Sequence, residues 1–148
     1  MRISAKGRYA LAAVIHMAAS YGNGENIAVA NISERLGTSK IYLEQIFSLL
    51  KRSGLIDSVK GAQGGYKLAR RPQKISAADI LSAVEISLFE ETKDTVSDKA
   101  PEIDKSVRLL VFDALNKKIK ETLESITLEE LALAAEKHKP DDVNMFYI

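Results

Sequence analysis

The chain has 148 residues, of which 46% are hydrophobic and 28% charged, a composition typical of one globular domain or of one domain with a helical arm. It contains no cysteine, which excludes disulfides, thiol nucleophiles, zinc–thiolate sites and cysteine-ligated iron–sulfur clusters. Because no nucleophile–base pair or histidine cluster is evident, we expect neither an enzyme nor a metal or cofactor site. No apolar run reaches the roughly 18–20 residues of a membrane span, so we expect a cytoplasmic protein.

The charges are divided unevenly along the chain. Residues 1–85 carry 12 Lys and Arg against 6 Asp and Glu, whereas residues 86–148 carry 9 against 14. A basic surface of this kind is either simply solvated or binds a polyanion. The order of structural elements in the basic half favours nucleic acid.

Helical patterns fill the first 53 residues. The first predicted helix runs over residues 5–19, and two shorter helices follow over residues 29–36 and 39–53. Ser39 is suited to cap the third helix, and Gly54 follows it where a left-handed residue is favoured. Two helices joined by a short glycine-containing turn indicate a helix-turn-helix.

A small β-hairpin is predicted directly after these helices. Residues 55–59 and 66–68 favour strands, and the glycine-rich segment 60–65 between them favours a tight turn. The turn lacks the GxxxxGK[ST] pattern of a phosphate-binding P-loop. A hairpin that follows a recognition helix is a wing, and Lys60 and Gln63 lie at its tip.

The sequence therefore predicts a mostly α fold with a small β-hairpin wing, a winged helix-turn-helix domain followed by a long dimerisation helix. We assign residues 1–85 to the DNA-binding domain, 86–105 to a connecting loop, 106–137 to dimerisation helices and 138–148 to a C-terminal tail.

The long helix that we predict from residue 106 to about residue 125 carries a stripe of apolar residues spaced by three and four. The stripe either packs on its own domain or forms the seam of a homodimer, and the small size of the preceding domain favours a dimer. The expected interface residues are Val107, Val111, Leu115, Ile119 and Leu123.

The DNA-contacting residues should lie at the start of the second helix of the motif, on the wing and near the N-terminus. Outward residues of the helix approach base edges, and basic residues contact phosphates. Two assignments have structural alternatives, a surface ion pair for Glu44 and packing against the wing for Tyr42. The full set is Lys6, Arg8, Ser39, Lys40, Ile41, Tyr42, Glu44, Gln45, Lys60 and Gln63.

The last four residues, Met145, Phe146, Tyr147 and Ile148, are all apolar. They either fold back on the protein or anchor a partner, and composition alone does not decide between these two roles.

Several segments together resemble the IscR/CymR family of winged-helix regulators. The resemblance covers nearly the whole chain and rests on MRISAKGRY at 1–9, YLEQIF at 42–47, SGLIDSV at 53–59, GAQGGY at 61–66 and ITLEEL at 126–131. It implies a homodimer in which a long helix crosses its mate, bound to a palindromic operator in double-stranded DNA. It also implies base-reading or groove-contacting roles for Ile41, Tyr42, Glu44 and Lys60, the last where an arginine is common.

The resemblance is stronger to the branch of the family that lacks a cluster. Iron–sulfur members carry three cysteines before the long helix, and residues 90–104 here carry none. The branch shares the Met-Phe-Tyr-Ile ending of residues 145–148, which implies a repressor of cysteine or sulfur metabolism acting with cysteine synthase (CysK). By analogy, the carboxylate of Ile148 would occupy the amino-acid pocket of the synthase. The alternatives are a ligand-sensing regulator of other genes and a helical interaction module that does not bind DNA.

Overall fold

The structure is a computed structural model, and it describes residues 2–140. Within this range the order of elements is that of a winged helix-turn-helix followed by a long helix, so the expected fold class is confirmed. The elements are α1 (Ala5–Ala18), α2 (Val29–Leu36), α3 (Lys40–Arg52), β1 (Ile56–Val59), β2 (Gly65–Leu68), α4 (Ala77–Val84), α5 (Pro101–Val107), α6 (Asp113–Ser125) and α7 (Leu128–Lys137).

Hydroxyl caps fix the starts of four helices. The side chains of Ser4 and Ser39 accept hydrogen bonds from backbone N–H groups in the first turns of α1 and α3. Ser76 and Thr127 form reciprocal capping boxes with an acidic residue three positions later, at the starts of α4 and α7. Such short-range signals are visible in the sequence, and the predicted and observed bounds of α1 and α3 differ by no more than one residue.

The core forms where α1, α3 and α4 pack together. One face of α3 supplies its largest members, and Phe47 is fully buried at the centre. Full burial of each such side chain stabilises the fold by about 1.5–3 kcal/mol. The fully buried set includes Ala10, Val14, Ile32, Leu43, Ile46, Phe47, Leu50, Ile56, Ile80 and Leu128.

The wing is tied to this core along both of its strands. β1 and β2 pair antiparallel, from Ile56 opposite Leu68 to Val59 opposite Gly65. The N–H groups of Ile27 and Tyr66 donate to each other's carbonyl oxygens at 2.8 Å, so a segment before α2 extends the sheet. A side chain at Gly65 would collide with the backbone of Ile27, so this close pairing requires glycine.

The connection before the long helix differs from its prediction. Residues 86–105 were expected to form a loop, but Ile86–Phe89 form a 3-10 helix and α5 begins at Pro101. Proline is favoured in the first helical turn because its missing N–H would be unpaired there. A π-helical stretch, Arg108–Phe112, joins α5 to α6, and the long helix therefore spans residues 101–125.

Hydrogen bonds to a buried carboxylate hold the rest of that connection. The Asp104 side chain accepts the backbone N–H groups of Thr95 and Val96, each at 2.9 Å, and these bonds lower the pKa of Asp104. Arg108 pairs with Asp94 beside it. These contacts hold the loop of residues 90–100 against the first turns of the long helix. Because the contacts are polar, no periodic pattern of apolar residues in the sequence indicates them.

The chain returns to the core after the long helix. The N–H of Ala77 donates to the carbonyl of Ile126 at 2.8 Å, and the N–H of Leu128 donates to the carbonyl of Ile75 at 2.8 Å. Leu128 is fully buried, and α7 packs against α1. The sequence placed α7 with the dimerisation helices, whereas in the structure its first residue also belongs to the core of the N-terminal half.

A second link joins α4 to the start of α1. The Glu85 carboxylate, 8% exposed, accepts the backbone N–H of Ser4 at 3.2 Å and the Ser4 hydroxyl. Gly7 lies beneath it, where an added Cβ would stand 2.6 Å from Glu85 Oε2 and 2.8 Å from Ile3 Cγ2. Glycine in this helical position therefore permits the close approach of α4.

We expect Gly7→Ala to lower the free energy of unfolding by about 1–3 kcal/mol, because the new methyl group overlaps with Glu85 and Ile3. Urea denaturation measures this loss. In a Glu85→Ala background the same change should cost less, since the main clash is gone. Equal costs in the two backgrounds would show that Glu85 does not set the packing at this site.

Candidate nucleic-acid interface

The third helix has two chemically distinct faces. Leu43, Ile46, Phe47 and Leu50 are buried in the core. Residues three and four apart share a helix face, and the opposite face exposes Ile41, Glu44 and Gln45. The first turn of α3, with Ser39 and Lys40, is exposed as well. α3 thus presents a mixed polar and apolar surface at the end that a recognition helix inserts into a groove.

An aromatic contact places the start of α1 beside the start of α3. The rings of Tyr9 and Tyr42 meet edge to face, with centroids 5.7 Å apart. Tyr42 is half-buried, and its aromatic partner lies on α1 rather than on the wing. The basic residues Lys6 and Arg8 precede Tyr9 on the first turn of α1.

Glu44 is exposed and makes no ion pair with any residue between positions 2 and 140. The alternative interpretation, in which Glu44 forms a surface ion pair, therefore has no support in this part of the chain. An unpaired carboxylate on a surface that faces phosphates weakens binding unless it accepts a hydrogen bond from a base. Cytosine N4 is the donor that carboxylates accept from in the major groove.

The wing tip exposes Lys60 and Gln63. Gly61 has φ of 113°, a conformation that favours glycine. The side chain of Asn26 donates to the carbonyl of Gln63 at 3.4 Å and ties the turn to the segment before α2. Lys60 therefore lies on a turn that is fixed to the segment before α2.

The structure groups the ten residues expected to contact DNA in three places. Lys6 and Arg8 lie on α1, Lys60 and Gln63 lie at the wing tip, and the other six span Ser39 and the first half of α3. Two of them also have structural roles. The Ser39 hydroxyl accepts the Tyr42 N–H at 3.1 Å, and Arg8 Nη1 donates to the carbonyl of Ile3 at 2.6 Å.

The expected dimer seam is exposed over its first three residues. Val107, Val111 and Leu115 are exposed, whereas Ile119 and Leu123 are half-buried within the chain. Ile119 lines a cleft of about 300 Å³ together with Leu88 and other residues at the contact of α4 with α6. Three further large apolar residues are exposed on the same long helix: Ile103, Leu109 and Leu110.

The expected partner-binding residues Met145, Phe146, Tyr147 and Ile148 lie outside the described residues. Within residues 2–140, no helix is long and apolar enough to cross a membrane. In the same range, no group of three or more His, Asp or Glu side chains is arranged to hold a metal ion.

Comparison with known proteins identifies the family. The family model described as "Rrf2: Iron-dependent Transcriptional regulator" matches residues 3–134. The chain belongs to the Rrf2 family. Since its sequence has no cysteine, this Rrf2-family chain is not able to bind iron through cysteine ligands.

Named relatives within the Rrf2 family are transcriptional regulators. The regulator CymR of Bacillus subtilis is 37% identical over the whole length of both chains. The regulator IscR of Xenorhabdus nematophila is 39% identical over 88% of this chain and 79% of its own. The solved structure of B. subtilis CymR superposes with a TM-score of 0.73, at 32% identity over 90% of this chain and 98% of that chain. The protein is therefore a DNA-binding transcriptional regulator of the winged-helix type and not an enzyme.

Proposed function

We propose that the protein is a homodimeric repressor that binds a palindromic operator in double-stranded DNA. The observation that carries this proposal is the first half of α3, where Ile41, Glu44 and Gln45 are exposed and Tyr42 contacts Tyr9 of α1. Helix-turn-helix dimers place two such helices about one DNA turn apart, so the operator mirrors the symmetry of the protein.

The residues of this surface divide into two roles. Ser39, Lys40, Ile41, Tyr42, Glu44 and Gln45 approach base edges from α3, where Glu44 accepts from cytosine and Gln45 pairs with adenine. Basic groups on α1 and the wing, Lys6, Arg8 and Lys60, neutralise phosphates and fix the orientation of the dimer. Gln63 adds a polar contact beside Lys60.

The dimer seam is proposed on the long helix of residues 101–125. Its exposed apolar residues lie outside the core of the chain. In a symmetric dimer these residues would pack against the same helix of the second protomer. The proposed contacts are Val107, Val111 and Leu115, continued by Ile119 and Leu123.

The regulated genes are proposed to be those of cysteine or sulfur metabolism. The solved structure of B. subtilis CymR is described as that of the global cysteine regulator. The CymR sequence aligns with the full length of this chain. We propose cysteine synthase (CysK) as co-regulator, bound through Met145–Ile148, with the complex acting in the cytoplasm. This binding mode requires a free carboxylate on Ile148.

The DNA surface is tested with Gln45→Ala and Lys60→Ala. We expect Gln45→Ala to cost about 1–3 kcal/mol for each half-site and to relax preference at one base position in each half-site. Lys60→Ala should weaken binding to every duplex and reduce the slope of log K against log salt by about two units, because the dimer loses one phosphate contact in each subunit. Fluorescence anisotropy over a salt series measures both effects.

Wild-type binding in the same series separates a repressor from an interaction module. A repressor loses affinity steeply as salt rises, whereas a helical module that does not use DNA shows no salt-dependent binding. Unchanged affinities of both variants at all salt concentrations would disprove the proposed surface.

The dimer seam is tested with Leu115→Glu. Leu115 is 56% exposed in the single chain, so the change should not disturb the core, but in a dimer it buries an unpaired carboxylate. We expect monomers by light scattering and loss of operator binding. Tyr21→Glu is the matched control, because Tyr21 is 44% exposed and lies outside the segment assigned to dimerisation, so this variant should remain dimeric. A dimeric Leu115→Glu protein would place the seam elsewhere.

The partner is tested by deleting Ile148. The deletion moves the terminal carboxylate by one residue, so we expect calorimetry to show no binding to cysteine synthase, while operator binding by the isolated dimer persists. O-acetylserine should compete with the full-length protein for the synthase, by linkage. Equal affinity of the full-length and shortened proteins would rule out docking through the tail.

A further inference from the structure

One apolar side chain stands in the middle of the polar DNA-facing surface. Ile41, the second residue of α3, is 72% exposed. Among the described residues from Ala28 to Lys74, it is the single large hydrophobic residue with an exposed side chain. The core is closed by the opposite face of α3, so Ile41 contributes little to folding.

The neighbours of Ile41 exclude a protein-binding patch. Glu44 and Gln45 lie three and four positions later on the same face, and Lys40 precedes it. An apolar docking surface needs a continuous patch of several hundred Å², which one isoleucine among charged and amide groups does not provide. The isolated side chain instead suits a small apolar group.

The major groove offers one such group. Guanine, adenine and cytosine present hydrogen-bonding atoms at this edge, whereas thymine adds an apolar C5 methyl. The first turn of a recognition helix is the part that reaches the base edges. Ile41 has no hydrogen-bonding group in its side chain, so its only gain from a base edge is removal of apolar surface from water.

We propose that Ile41 reads a thymine in each half-site through contact with its C5 methyl group. This inference rests on the proposed function, since it concerns the same surface. The thymine lies within reach of the bases that Glu44 and Gln45 contact, because the three side chains share one face of α3.

The test compares thymine with uracil, which lacks only the methyl group. An operator is first selected with the wild-type dimer from random duplexes, and each thymine is then replaced singly by uracil. At one position in each half-site we expect binding to weaken about fourfold, the effect of exposing one methyl-sized group. At the other thymines uracil should have little effect.

Variants at Ile41 identify the side chain responsible. Ile41→Ala changes both subunits, so it should bind the thymine operator about as weakly as the wild type binds an operator with uracil at that position in both half-sites, and uracil should cause no further loss. Ile41→Val keeps branched methyl groups and should retain most of the uracil effect. Because Ile41 is exposed, both variants should unfold at the wild-type urea concentration.

Two results would overturn the assignment while leaving the proposed function intact. The first is that the wild-type protein binds every uracil operator as tightly as the thymine operator, which would show that no thymine methyl is recognised. Ile41→Ala that keeps the uracil effect shows that another residue reads it. Failure to enrich any sequence from the random duplexes would instead count against operator binding itself.

Discussion

Backbone pairing between residues 75–77 and 126–128 is the constraint on which the rest of the molecule depends. Two hydrogen bonds of 2.8 Å join these segments, and Leu128 is fully buried beside them. The chain leaves the core after α4, runs along the long helix and is brought back at this point. The far end of that helix is thereby attached to the same core that carries α1 and α3. The end of the long helix and the recognition helix are therefore attached to one core.

The DNA-facing elements depend on the same core. α3 is seated by Leu43, Ile46, Phe47 and Leu50, the Tyr9–Tyr42 contact joins it to α1, and Glu85 joins α1 to α4. The wing is paired with the segment before α2. These contacts join the long helix, on which we propose the dimer seam, to the recognition helix of the same chain. The proposed dimer would therefore bind operators with one fixed spacing of half-sites.

The sequence predicted the elements whose causes are local. These causes are the serine and threonine caps, the glycine turn and the apolar faces of α1 and α3. Each involves residues close together in the sequence, so the sequence alone predicts them. The start of the long helix was missed because its N-cap, Ala100, has no capping side chain, and because Asp104 and Arg108 hold residues 94–96 through polar contacts that have no period. Likewise, the partner of Tyr42 and the unpaired state of Glu44 depend on residues distant in sequence. Side-chain roles at the DNA surface remain predictions, whereas the helix that carries them is established.

The spacing of operator half-sites tests the central claim most directly. Inserting two base pairs at the dyad rotates one half-site by about 70° relative to the other, since B-DNA has about 10–10.5 base pairs per turn. If the long helix and the recognition surface move together, affinity for the expanded operator should fall to that for an unrelated duplex. Equal affinity for the two spacings, measured at one salt concentration, would contradict a fixed connection between the seam and the recognition helices.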